Sequence, residues 1–160
     1  MSDVTLLPPL LICERTGRWA DALRAAFARR RLSPPIVETR SPAELQATVV
    51  ERRRNDLPGG PTVFELTAAD AERTCLAAAW HVQHGDDVPL AIVTVDGHAY
   101  EATARAAGAT LFAASLRTVD PIVELYVAFA VDAANRCVVP RDDARSAAQM
   151  VWDALPWPTN

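Results

Sequence analysis

Carboxylates and a guanidinium stand just after apolar, strand-like runs. Glu14 and Arg15 follow Leu10-Leu11-Ile12-Cys13, and Glu65 follows Thr62-Val63-Phe64. Asp96 and His98 follow a third run, Pro89 to Val95. Open α/β sheets bind ligands outside the carboxyl ends of their strands. Glu14, Glu65, Asp96 and His98 would therefore converge on a crevice suited to a small-molecule binder or an enzyme. The rest of the chemical inventory is thin. All 16 basic residues are arginine, so no lysine exists for Schiff-base chemistry. There is no nucleophile elbow, no dinucleotide glycine fingerprint and no P-loop.

His81 and His84 fall three apart on one predicted helix near Asp86 and Asp87, but a third ligand is missing. A solvated helix end explains them better than a metal site does. Cys13, Cys75 and Cys137 are odd in number, widely spaced and free of CxxC spacing, which speaks against a disulfide framework and a zinc site alike. Cys13 and Cys75 lie in apolar contexts and read as small core residues. The reading implies no cofactor and no metal.

The chain has 160 residues, half of them hydrophobic, enough for one domain with a real core and a short appendage. A net charge of −4 argues against nucleic acid as a partner. Arg29-Arg30-Arg31 and Arg52-Arg53-Arg54 each end a predicted helix, where cations complement the dipole, and read as solvated termini. The apolar stretch Val4 to Cys13 has no basic leader, contains Pro8-Pro9 and is too short to span a bilayer. A soluble, cytoplasmic protein without membrane contact is the expectation.

These residues need elements to position them. Leu10 to Cys13 predicts a strand, and Trp19, Leu23 and Phe27 at i, i+4 and i+8 predict one face of a helix. Pro35 to Glu38 predicts a second strand. Ser41-Pro42-Ala43-Glu44 starts the next helix with a capping box, and Leu45 and Val49 continue its buried face. Thr62 to Leu66 predicts the third strand. The helix after it starts near Thr67 or Asp70, buries Leu76 and Trp80 and ends near His84-Gly85. Pro89 to Val95, continuously apolar, predicts a strand buried on both faces. Asp96 then caps a helix through Ala107, ended by Gly108. Thr110 to Ala114 predicts a fifth strand, and a fifth helix carries Ile122, Leu125 and Phe129.

Five βα units with short connections give a parallel sheet covered by helices on both faces. The expected domain is 1–136, a three-layer, doubly wound, flavodoxin-like α/β fold with strand order 2-1-3-4-5. Residues 137–160 form an extension with a short helix and a Trp/Pro tail. Trp152, Leu155 and Trp157, set among prolines, suit docking to a partner or packing on the domain itself.

From Leu10 to Ala134 this layout resembles the receiver domain of two-component response regulators. The most specific stretch is Val93-Thr94, Ala107-Gly108-Ala109 and Leu111-Phe112-Ala113-Ala114-Ser115-Leu116. It is similar to that family's switch threonine, Gly-Ala turn, switch aromatic and Lys-Pro pair. The resemblance implies a domain in which acidic residues after strand one hold a metal ion, an aspartate ending strand three accepts a phosphoryl group, and a lysine ending strand five contacts it. Here the acidic pair is Glu14-Arg15, the phosphoacceptor position is Glu65, and the lysine and proline positions are Ser115 and Leu116. Thr94 and Phe112 match the switch pair in type and spacing.

The pattern is therefore that of a degenerate receiver, or pseudo-receiver, with Glu14, Arg15, Glu65, Thr94 and Ser115 in place of the phosphoacceptor pocket. Arg15 puts a fixed charge where a second carboxylate would serve magnesium. Glu65 is a methylene too long, and no ammonium neutralises the developing phosphoryl charge. A non-catalytic module acting by protein–protein contact follows, with homodimerisation through the helix 4–strand 5–helix 5 surface implied by the resemblance. An atypical active receiver and a small-molecule crevice are the rivals. Two roles for Glu65 stay open: an ion pair with Arg15, which is favoured, and a mimic of phospho-aspartate. Thr94 and Phe112 are either a working switch or, as favoured, plain strand and core residues.

Overall fold

The computed structural model describes residues 7–85 and 88–138. In chain order the elements are β1 (Leu10–Cys13), α1 (Arg18–Arg29), β2 (Ile36–Thr39), α2 (Pro42–Arg54), β3 (Thr62–Glu65), α3 (Ala71–His84), β4 (Leu90–Val93), a 3₁₀ turn (Gly97–Tyr100), α4 (Glu101–Ala106), β5 (Leu111–Ala113) and α5 (Asp120–Val138). The strands form one parallel sheet of order β2-β1-β3-β4-β5, the order expected of a flavodoxin-like chain. The register sets Cys13 beside Phe64 and Glu65 beside Val93, so the ends of β1, β3 and β4 lie side by side.

Alternation along the strands divides the core in two. Leu10, Ile12, Val63, Ala91 and Val93 face α1 and α5, where Trp19, Leu23, Phe27, Ile122 and Tyr126 meet them. Leu11, Cys13, Phe64, Leu90 and Ile92 face the other way, against Leu45 and Val49 of α2, Ala77 and Ala78 of α3 and Ala104 of α4. Phe27 meets Tyr126 edge to face, with centroids 5.0 Å apart. The Tyr126 hydroxyl donates to Pro8 O at 2.6 Å, and burial pushes its pKa up to about 12. The compact α/β unit runs to Ala130, within α5. Trp152, Leu155 and Trp157 lie outside the described residues. Among those residues no helix is long and apolar enough to cross a membrane.

The start of α2 follows its sequence signature. Ser41 is the N-cap and its Oγ accepts from Glu44 N–H at 3.2 Å. Glu44 returns its carboxylate one residue further back than a capping box requires, to Arg40 N–H at 2.7 Å. Ser41→Ala is expected to cost about 1 kcal/mol in urea-monitored stability, and Ser41→Asp to cost little. Gly108 ends the α4 segment at φ +96°, and a Cβ there would stand 2.8 Å from Val82 Cγ2, so both conformation and space call for glycine.

Three expectations need correction. The buried face of α3 is Thr74, Ala77, Ala78 and His81, while Leu76 is 66% exposed and Trp80 only half-buried. Large side chains suggested one stripe, whereas small ones let α3 approach the sheet closely. His81 is therefore core and not a solvated helix end. Asp96 makes no cap with its side chain; it accepts from Ala68 N–H at 3.1 Å, and a 3₁₀ turn leads into a short α4. The arginine runs do end α1 and α2 in solvent, as expected, and four of the six make contacts besides. Arg29 and Arg30 pair with Asp120 and Glu124 of α5, and Arg52 and Arg53 donate to Pro58 O and His84 O.

Candidate functional site

The β1–α1 turn explains what Glu14 does. Gly17, the N-cap of α1, sits at φ +82° and offers no side chain to the first turn. Glu14 fills that gap. Its Oε2 accepts from Trp19 N–H at 2.9 Å and its Oε1 from Ala20 N–H at 2.7 Å, with the residue 2% exposed. Both oxygens meet the positive end of α1, where a carboxylate is stabilised. The carboxylate is thus aimed at its own helix.

Arg15 and Glu65 are adjacent, but not as an ion pair of side chains. Glu65 Oε2 accepts from the backbone N–H of Arg15 at 2.9 Å, while the Arg15 guanidinium pairs with Asp70. The expected Arg15–Glu65 pair is corrected to this three-way arrangement. Asp70 occupies the N-cap position of α3 without capping it, because its carboxylate is turned to Arg15 and to the Thr67 hydroxyl. The long reach of arginine, across from β1 to the start of α3, is what sequence spacing could not fix.

Thr94 directly follows β4 and is fully buried. Its N–H donates to Ala113 O, and its Oγ accepts from Asp96 N–H at 3.1 Å. Phe112 is 9% exposed in the core, with His98 tilted against its ring at 6.0 Å. Ser115 stands where the resemblance to receiver domains would imply a lysine. Its Oγ accepts from Arg117 N–H and its carbonyl from Thr118 N–H, so it builds the turn into α5. His98 reaches Glu101 instead of the strand ends.

The crevice between β1 and β3 is therefore lined by Glu14, Arg15, Arg40, Glu65, Asp70 and Arg73, without Asp96 or His98. Arg40, Asp70 and Arg73 were not anticipated; only Asp70 had a signal, as a helix start. Arg40 pairs with Glu38 at 2.8 Å and reaches Glu14 O. Cys13 also borders the crevice, but burial pushes its thiol up to about 11, with the neighbouring carboxylates adding to it, so no thiolate forms near neutral pH. Among the described residues no group of three or more His, Cys, Asp or Glu is placed to hold a metal ion.

Neither a family model nor a curated protein matches this chain. Solved structures do. Response regulator RPA3017, of red light signalling in R. palustris, superposes with a TM-score of 0.60 at 16% identity over 75% of this chain and 92% of that one. The Mn(2+)-bound form of response regulator Rcp1 gives 0.53 at 10% identity over 74% and 88%. The class defined by strand order and neighbours is the receiver fold of response regulators. At these identities the fold is what is shared.

Proposed function

We propose that this chain is a receiver-like signalling module that works by protein–protein contact and is not phosphorylated. The observation that carries the reading is the occupancy of its strand-end groups. Both Glu14 oxygens are spent on α1 amides, one Glu65 oxygen on Arg15 N–H, and the Arg15 guanidinium on Asp70. Magnesium needs carboxylate oxygens that are not already committed, and phosphoryl transfer needs a cation opposite the transferred group. A chain without lysine, with Ser115 folded into its own turn, supplies no ammonium there.

The same bonds have a structural consequence. Arg15 to Glu65 and Asp70 ties the β1–α1 turn to the β3–α3 turn, and Ala68 to Asp96 ties the latter to β4–α4. A covalent phosphoryl group is not needed to join these loops, so one loop arrangement is maintained permanently for a partner to read. The partner is a protein in the cytoplasm, or a second copy meeting the α4–β5–α5 face, with Trp152, Leu155 and Trp157 as further contacts.

Acetyl phosphate with magnesium is expected to leave the intact mass unchanged. Beryllofluoride with magnesium is expected to leave unchanged the emission of Trp19, whose backbone N–H Glu14 holds. A stoichiometric phosphoryl adduct or a saturable emission change overturns the reading.

A further inference from the structure

At the opposite end of the strands, where β3 and β4 begin, α2 and α3 both end, and between their last turns lies a small cavity of about 50 Å³. Val49, Leu57 and Val88 give it an apolar wall, and Arg52, Arg53 and His81 supply the polar one. His81 is 4% exposed, and its Nε2 has no hydrogen-bond partner. Buried polar atoms are almost always partnered, so an orphaned imidazole nitrogen beside a cavity asks for an explanation. His84, one turn on, shows the alternative: its Nδ1 meets Trp80 O at 2.8 Å. His81 instead turns inward, with Nε2 3.8 Å from where a Cβ on Gly85 would stand. Glycine at that position leaves the ring beside the cavity.

Arg52 supplies the charge. Its Nε and Nη2 donate to Pro58 O at 3.3 and 3.0 Å, while its Nη1 is unspent among the described residues. The Arg52 guanidinium repels a cation. A cavity of this size holds roughly four waters, and its apolar wall disfavours a doubly charged, strongly hydrated anion such as phosphate. We propose that this cavity binds a small monocarboxylate, whose oxygens take His81 Nε2–H and Arg52 while its short alkyl body lies against Val49, Leu57 and Val88. Nε2 is sealed in the unbound protein, so binding turns the imidazole about χ2, a soft torsion. The site lies away from the strand-end crevice and does not depend on the function proposed above.

Full-length protein carrying ¹⁵N-histidine, titrated with sodium butyrate and, at matched ionic strength, with sodium chloride, tests this. The expected result is a saturable shift of the His81 ring nitrogens with butyrate alone, at a Kd on the order of 1 mM. Arg52→Gln should weaken it about tenfold, and His81→Phe should abolish the melting-temperature rise that butyrate gives the wild type. Should His81→Phe fail to fold, substituting His84 and His98 assigns the His81 signal by elimination, and Arg52→Gln alone decides. Lack of saturation, an equal response to chloride, or undiminished affinity in Arg52→Gln each overturns the proposal.

Discussion

Replacing Glu14 with alanine is expected to lower the unfolding free energy by about 3 kcal/mol, read as a drop in the urea midpoint at unchanged slope. The side chain is buried and accepts two backbone N–H groups, those of Trp19 and Ala20. Hydrogen bonds to a charged group contribute about 1.5–3 kcal/mol each, and alanine leaves both donors facing a space without an acceptor. The N-cap residue cannot step in, because Gly17 has no side chain. Glutamine keeps one acceptor oxygen and should recover roughly half of the loss. Magnesium separates this capping role from metal binding. If Glu14 were a ligand, millimolar magnesium would stabilise the wild type and not the alanine variant; the expected outcome is no magnesium effect on either. A loss below about 1 kcal/mol would mean that water replaces the carboxylate at the helix end.

That capping role was not legible in the sequence, and the reason is physical. N-caps are recognised by a polar residue immediately before a helix, as at Ser41, where the expectation and the structure agree. At α1 the acceptor stands three residues before the N-cap and reaches over a left-handed glycine, a geometry that spacing does not signal. The sheet was legible because β1 and β4 are unbroken apolar runs, as burial on both faces requires, and β3 carries Val63 and Phe64 between them. The face of α3 was not, because Thr74, Ala77 and Ala78 carry little hydropathy. They are chosen for closeness to Phe64 and its neighbours, leaving Leu76 outside. At the site, the sequence brought Glu14, Arg15 and Glu65 to the right strand ends. It favoured Glu65 as the partner of Arg15, but Asp70 also comes within an arginine's reach once β1 and β3 are side by side.

His81 is expected to make the fold sensitive to mild acid. Burial, and secondarily the Arg53 guanidinium, pushes its pKa down from 6.5 to about 4. The folded protein therefore refuses a proton that the unfolded chain accepts. Above about pH 6.5 neither state is protonated and the group costs nothing. As pH falls below that value the unfolded chain binds the proton first, and stability drops with a slope approaching about 1.4 kcal/mol per pH unit. Near pH 4 the folded state begins to protonate and the loss levels off. Its total is about 3 kcal/mol. Glu38 acts in a lower window. Arg24 holds its carboxyl below the usual range, so its contribution persists to lower pH and goes only as pH falls through the folded value. Urea titrations at a series of pH values, compared between wild type and His81→Leu, isolate the histidine term. Between pH 6.5 and 4 the wild type should lose about 3 kcal/mol more than His81→Leu, whichever of the two is the more stable at neutral pH. Parallel curves would mean that the ring reaches water before it takes the proton. In that case the C-terminal turn of α3 opens at small cost, and His81 is buried only on average.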